Sequence, residues 1–352
     1  MASERLPQRQ VGATGLALTE IGLGAAPLGN LYREVSGEQA RSAALAALAA
    51  GIRYIDTAPY YGFGLSERRV GDAVRGADDV ITSTKVGAIL RADGACDVSV
   101  EREGFRSPMP FACEYDYSYD GIMRSWDASL QRLGLARVDI LYIHDFGVHG
   151  SNNEAMFGQL TRDGGFRALE ELRGSGAIAA FGLGVNEWGV CVEAAQHAKV
   201  DVILLAGRYT LLDHTVALRR FMPVCLKEHI SLVIGGVFNS GILATGSGGA
   251  ESARYDYAPA SADVIARVRK LEAVCAAHDV RLASAALQFV LAHPAVVSAV
   301  LGLRSPEEVA TAMEGYHEAI PDQFWHDLKG EGLIAADAPT PVAPRQSGRL
   351  NP

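Results

Sequence analysis

Residues 53–67 read RYIDTAPYYGFGLSE. An apolar run closes on Asp56, and Tyr60 and Tyr61 follow directly before Gly62. An acid at a strand exit with two phenols in the next turn has two readings. Either Asp56 caps the strand and the rings fill a turn, or one phenol does proton chemistry beside the acid. The rest of the chain decides between them.

Working outward, short apolar runs recur near Ile21–Gly24, Ile52–Asp56, Val80–Lys85, Asp139–His144, Ile178–Gly184, Val202–Leu205, Ser231–Gly235 and Val296–Leu301. Several are apolar at consecutive positions, as in parallel strands covered on both faces. Ala-rich or amphipathic segments separate them. SGEQARSAALAALAAG opens on Ser36 as an N-cap and stops at Gly51, and SYDGIMRSWDASLQRLG stops at Gly134. Eight strand–helix pairs without a linker predict an α/β fold, one (β/α)8 TIM barrel over residues 1–337. A doubly wound sheet is disfavoured because Gly22, Gly24 and Gly29 lack the GxGxxG spacing.

Three segments lie outside the repeat. Gln10–Glu20, turning at Gly12–Gly15, predicts an N-terminal β-hairpin that closes the barrel floor. Ala88–Tyr117 reads as a long loop after the third strand, and residues 338–352 as a Pro-rich C-terminal tail.

The net charge of −9 provides no basic face for nucleic acid. No apolar run approaches the roughly 18 residues of a membrane span, and Met1–Gln10 lacks the apolar core of a signal peptide. Five scattered cysteines without CxxC spacing suit reduced thiols in a cytoplasmic protein. Around His144, HDFGVH offers only His149 as a further imidazole, read as loop surface, so no metal is expected. The expected partner is a small-molecule substrate; nothing in the chain specifies an oligomeric state.

Barrel active sites lie at the C-terminal strand ends. Those ends carry Asp56 with Tyr60 and Tyr61, Lys85 in ITSTKVG, and His144 in DILYIHD. A free phenol, with a pKa of about 10, is a poor acid or base at neutral pH. An ammonium about 4 Å away stabilises a phenolate by on the order of 4 kcal/mol at an effective dielectric of about 20. That is roughly three pK units, which brings the phenol towards neutrality. The acid then keeps the lysine charged, and the imidazole orients the reacting oxygen.

IDTAPYYGFGLSE, STKVG, the strand ending in His144, and GLGVN at 182–186 together resemble the aldo-keto reductase superfamily, in order along nearly the whole chain. The resemblance implies a catalytic tetrad of Asp56, Tyr61, Lys85 and His144, with Tyr60 in the pocket wall. It also implies a nicotinamide cofactor laid across the barrel mouth. Asn186 would hold its carboxamide, and the loop with Phe238, Asn239, Ser240, Gly241 and Leu243 would wrap its pyrophosphate. Arg304 and Ser305 would reach the adenosine end.

Two departures bear on the cofactor. Phe238 is the only aromatic near the start of the loop where many members stack a ring on the nicotinamide. Glu308 stands where NADPH-preferring members commonly have Arg, and a carboxylate repels a 2′-phosphate. NAD is therefore expected over NADP.

SYDGIMRSWDASLQRLGL, GLGVNEWGVC, LAGRYTLLD and FNSGILATG resemble the aldose 1-dehydrogenases of this superfamily, which act on L-fucose and related D-threo-aldoses. The implied reaction is NAD-dependent oxidation of a cyclic hemiacetal at C1 to the lactone, with Tyr61 as general base. The insertion Ala88–Tyr117, with Trp188, Arg208 and Tyr209, would form the outer pocket. The alternative is oxidation of pyridoxal to 4-pyridoxolactone, as by pyridoxal 4-dehydrogenases. Two further readings are an NADPH-dependent aldehyde reductase and a non-catalytic auxiliary subunit.

Overall fold

The computed structural model describes residues 6–77, 79–145, 153–249 and 253–341. The chain opens with an antiparallel hairpin, β1 (Gln8–Gln10) and β2 (Ala17–Thr19). β3 (Ile21–Gly24), β4 (Tyr54–Asp56) and β5 (Ile81–Val86) follow. A second hairpin, β6 (Ala88–Ala92) with β7 (Phe111–Tyr115), comes before β8 (Ile140–His144), β9 (Ala180–Val185), β10 (Val202–Ala206) and β11 (Ser231–Gly235). A third, β12 (Arg254–Tyr255) with β13 (Ala258–Pro259), precedes β14 (Val296–Gly302). The other eight strands pair in parallel in chain order and close into a barrel, β14 lying beside β3.

This is the expected (β/α)8 barrel. Four strands begin one or two residues later than their apolar runs. At two of these the N–H is still tied to the preceding helix: Ile52 N donates to Ala47 O, and Ile178 N to Leu172 O. The caps form as read. Ser36 and Gln39 close a reciprocal capping box, and Gly134 ends its helix at φ 62°.

Strand side chains alternate between faces. One face packs beneath the helices in the main core. The other fills the barrel with Tyr54, Ile140, Tyr142, Ala180, Val202, Leu204, Val233 and Val300. Val11 and Leu18 join this inner cluster, so the N-terminal hairpin does close the floor.

The segment 88–117 is more ordered than the loop expected for it. AILRA and FACEY pair residue for residue, and between them Arg102 stacks 3.6 Å above the Phe63 ring while donating to Met109 O and Phe111 O. Of the expected tail, Ala338 is buried in the main core, and residues 342–352 lie outside the described residues, as does His149. Among the described residues no single helix is long and apolar enough to cross a membrane.

Candidate active site

The loop after β4 owes its path to two glycines. Gly62 sits at φ 65°, and a Cβ there would lie 2.4 Å from Gly29 O. A Cβ on Gly29 would in turn meet the Tyr61 backbone at 2.7 Å. Only glycine lets these two loops cross backbone to backbone, and the crossing fixes where Tyr61 stands.

The structure brings Asp56, Lys85, Tyr61 and His144 together at the barrel mouth. Lys85 is 1% exposed and Asp56 3% exposed. Lys85 Nζ donates to Asp56 Oδ2 at 2.6 Å and to Thr57 O at 2.9 Å, and lies 4.5 Å from the centre of the Tyr61 ring. The His144 ring stands edge-on to both phenols, with centroids 5.9 Å from Tyr60 and 5.7 Å from Tyr61. Tyr117 Oη holds the strand end by donating to His144 O at 2.8 Å.

Electrostatics depart from expectation at one point. The ammonium does not bring the Tyr61 phenol towards neutrality. Burial, and then the charges of Asp56 and Asp145, hold it well above the usual phenol value. The ammonium's closest contact is the Asp56 carboxylate, at 2.6 Å. Burial also raises the Asp56 carboxyl, against the opposing pull of Lys85.

Two cavities flank the tyrosine pair. Tyr61 and Asp56 line the larger, of about 910 Å³, which runs along the ends of β10, β11 and β14 past Phe238, Asn239, Ser240 and Gly241 to Arg304 and Glu308. Tyr60 lines the smaller, of about 430 Å³, with Glu103, Cys113, Tyr115, Tyr117, Met156 and Gln159. The Tyr60 hydroxyl donates to Glu103.

The larger cavity suits a nucleotide. Glycines and alanines are prominent in its wall, and two of its polar atoms, Asn239 Oδ1 and Arg304 Nε, are buried without a hydrogen-bond partner. Asn186 Nδ2 donates to Tyr257 Oη at 3.2 Å, and Tyr257 N takes the Ser240 hydroxyl as acceptor at 2.9 Å. Tyr257 caps the cavity from the β12–β13 turn, where Asp256 and Tyr257 both have positive φ. Arg208 ties that turn down through ion pairs with Asp256 and Glu187. At the far end Ser305 caps the helix Pro306–His317, and the Glu308 carboxylate accepts from Arg304 N at 2.7 Å. The guanidinium groups of Arg33 and Arg304 each lie 3.8 Å from Glu308.

Trp188, Arg208 and Tyr209, assigned to the outer pocket, all go elsewhere. Tyr209 is fully buried and stacks on Phe289 at 5.4 Å, because the turn after β10 sends its ring into the main core. Trp188 stacks on Phe221 at 6.0 Å, and Arg208 fastens the cap. Leu243 is buried behind its loop. The groups that do line the smaller cavity, Glu103, Cys113, Tyr115, Met156 and Gln159, lie in the 88–117 insertion and in the helix Asn153–Thr161, far apart in sequence.

The model of the aldo/keto reductase family matches residues 20–330. The chain belongs to the aldo/keto reductase family. It is therefore an NAD(P)-dependent oxidoreductase with a small-molecule substrate. It is 46% identical to pyridoxal 4-dehydrogenase from Microbacterium luteolum over 344 residues, 95% of this chain and 99% of that one. It is 36% identical to D-threo-aldose 1-dehydrogenase from a Pseudomonas species, over 94% and 97% of the two chains. An aldo-keto reductase from Bacillus halodurans shares the fold at 23% identity with a TM-score of 0.73, over 97% of this chain and all of that one.

Proposed function

We propose that this aldo/keto reductase oxidises a cyclic hemiacetal to a lactone with NAD, and that pyridoxal is its first candidate substrate. The observation that carries the reaction type is the position of Tyr61, against Lys85 and His144 on the wall of the larger cavity. The dinucleotide would occupy the larger cavity, with the reacting carbon at its Tyr61 end and the rest of the substrate ring reaching towards the smaller cavity beside Tyr60. A nicotinamide ring, when bound, supplies the hydride acceptor and a positive charge that favours a phenolate nearby. Tyr61 takes the proton of the hemiacetal hydroxyl as the hydride leaves the same carbon and the carbonyl of the lactone forms. Lys85, paired with Asp56, stabilises the phenolate form of Tyr61 that accepts this proton. His144 holds the substrate oxygen in place.

The substrate ranking differs from the one read in the sequence, which put L-fucose and related aldoses first. The greater identity to the pyridoxal 4-dehydrogenase and the three tyrosine rings of the smaller cavity favour a flat pyridine ring. The aldose reading is kept because the D-threo-aldose 1-dehydrogenase also aligns over nearly its whole length. NAD is proposed over NADP because Glu308 lines the end of the larger cavity away from Tyr61, where the adenosine would lie.

The test is formation of reduced nicotinamide by the purified protein, with pyridoxal, L-fucose and D-arabinose, and with NAD and NADP separately. NAD reduction with pyridoxal supports the leading reading. Reduction with the sugars alone restores the aldose reading. Absence of turnover with all three overturns the hemiacetal proposal.

A further inference from the structure

Two residues before each of three residues in the proposed tetrad stands a hydroxyl: Tyr54 before Asp56, Ser83 before Lys85, and Tyr142 before His144. The period of two along a strand puts both members of each pair on the same face, and here that face is the barrel interior. The strands are in register for these residues to meet, with Asp56 opposite Ser83 and Lys85 opposite Tyr142. The three hydroxyls form a layer directly beneath the acid–base groups.

They are also joined. Ser83 Oγ donates to Asp56 Oδ1 at 2.7 Å, Tyr54 Oη lies 3.0 Å from Ser83 Oγ, and Tyr142 Oη lies 3.0 Å from Tyr54 Oη. Each hydroxyl has one proton to give. Ser83 gives its proton to the carboxylate, so it accepts from Tyr54, and Tyr54 in turn accepts from Tyr142. Every proton in the chain points towards Asp56. A chain aligned in this way polarises cooperatively in a low-dielectric interior. The barrel makes room for it with two glycines. A Cβ on Gly22 would lie 2.6 Å from the Tyr54 ring, and one on Gly184 would lie 3.2 Å from both Lys85 Cε and Tyr142 Cβ.

We propose that Ser83, Tyr54 and Tyr142 are positioning residues that hold Asp56 ionised and turned towards Lys85. The proposal rests on the tetrad reading above for its effect on turnover, but not for its effect on the carboxyl group. Asp56 is nearly removed from water, and its two oxygens find their donors on opposite sides, Lys85 at Oδ2 and the hydroxyl chain at Oδ1. Without the chain, one oxygen of a buried carboxylate has no donor among these residues, and the carboxyl protonates more readily. Asp56 then protonates at a higher pH, and Lys85 loses the ion that orients it.

The experiment uses the full-length protein with carboxyl-labelled aspartate. Asp56→Asn assigns the Asp56 carbon resonance, and its titration is compared in wild type, Ser83→Ala, Ser83→Thr, Tyr54→Phe and Tyr142→Phe. The midpoint is expected to rise by about one pH unit in Ser83→Ala, the scale of one lost hydrogen bond to a charge. It should rise less in Tyr54→Phe, least in Tyr142→Phe, and return in Ser83→Thr. The acid limb of kcat against pH should move by the same amounts with KM for NAD unchanged. An unmoved midpoint in folded Ser83→Ala, or equal midpoints in Ser83→Ala and Ser83→Thr, overturns the proposal. A moved midpoint with an unmoved kcat profile upholds the hydrogen-bond chain and overturns the role given to Asp56 in the reaction.

Discussion

The two cavities beside Tyr60 and Tyr61 are built from different materials. The larger is walled in part by Gly- and Ala-bearing strand ends and loops, and Arg304 meets Glu308 at the end away from Tyr61. The smaller is lined by three tyrosines with Glu103, Cys113 and Met156 among them, all but Tyr60 brought in by an insertion and a helix outside the barrel strands. A surface of backbone and small residues suits a ligand common to many enzymes, because its geometry is that of the fold. A surface of large side chains from inserted elements changes with every substitution, and suits the ligand that distinguishes one enzyme from another. The neighbouring phenols divide along the same line, Tyr60 facing the smaller space and Tyr61 the larger.

The largest expected effect breaks that division at its centre. Tyr61→Phe should lower kcat by about a thousandfold, the scale of a removed general base, while NAD binding measured by fluorescence stays within about twofold, a shift below about 0.5 kcal/mol. Tyr60→Phe should leave kcat near wild type and raise KM for the substrate. Equal losses in the two variants would remove the distinction between the phenols. The pH dependence follows from the raised Tyr61 value. A base must be deprotonated to act, so hemiacetal oxidation should quicken with rising pH by up to about tenfold per unit below the phenol pKa. A rate that falls from neutral to alkaline pH would take the base role away from Tyr61.

The next effect belongs to the larger cavity. In Glu308→Gln the guanidinium groups of Arg33 and Arg304 lose the carboxylate they share. NADP should gain on NAD by roughly tenfold in kcat/KM, the scale of one charge-assisted hydrogen bond. An unchanged ratio would mean that the 2′ position lies away from this end. The smallest effect belongs to the smaller cavity. Glu103→Gln keeps an acceptor for the Tyr60 hydroxyl and removes the charge. KM for pyridoxal should rise by several-fold, with the NAD dissociation constant unmoved, because Glu103 is exposed and its charge screened. A weakened dinucleotide with an unchanged KM would reverse the assignment of the two cavities.

How much of this was legible beforehand depended on the distance over which each signal acts. Strand exits and helix caps are local, so Asp56, Lys85, His144, the Ser36 cap and the Gly134 stop could be read from a few neighbouring residues. The hydroxyl layer was legible as well, since Tyr54–Asp56, Ser83–Lys85 and Tyr142–His144 repeat one spacing, but that spacing has meaning only once the strands are in register. Tyr209 was misplaced because nothing in LAGRYTLLD says which way its ring turns; Phe289, eighty positions on, provides the surface it stacks against. Tyr257 went unnoticed because its turn needs two residues at positive φ, neither of them glycine.

The sequence by itself determined the alternation of apolar strands with capped helices, the closed barrel, and an acid, a base and two phenols at one rim, because each depends on periodicities within an element. Tertiary structure alone decided which phenol faces which cavity, what caps the nucleotide-sized groove, and the value of the Tyr61 phenol. Those depend on burial and on charges from separate strands, and the cost of burying a phenolate exceeds the attraction of a lysine already paired to Asp56.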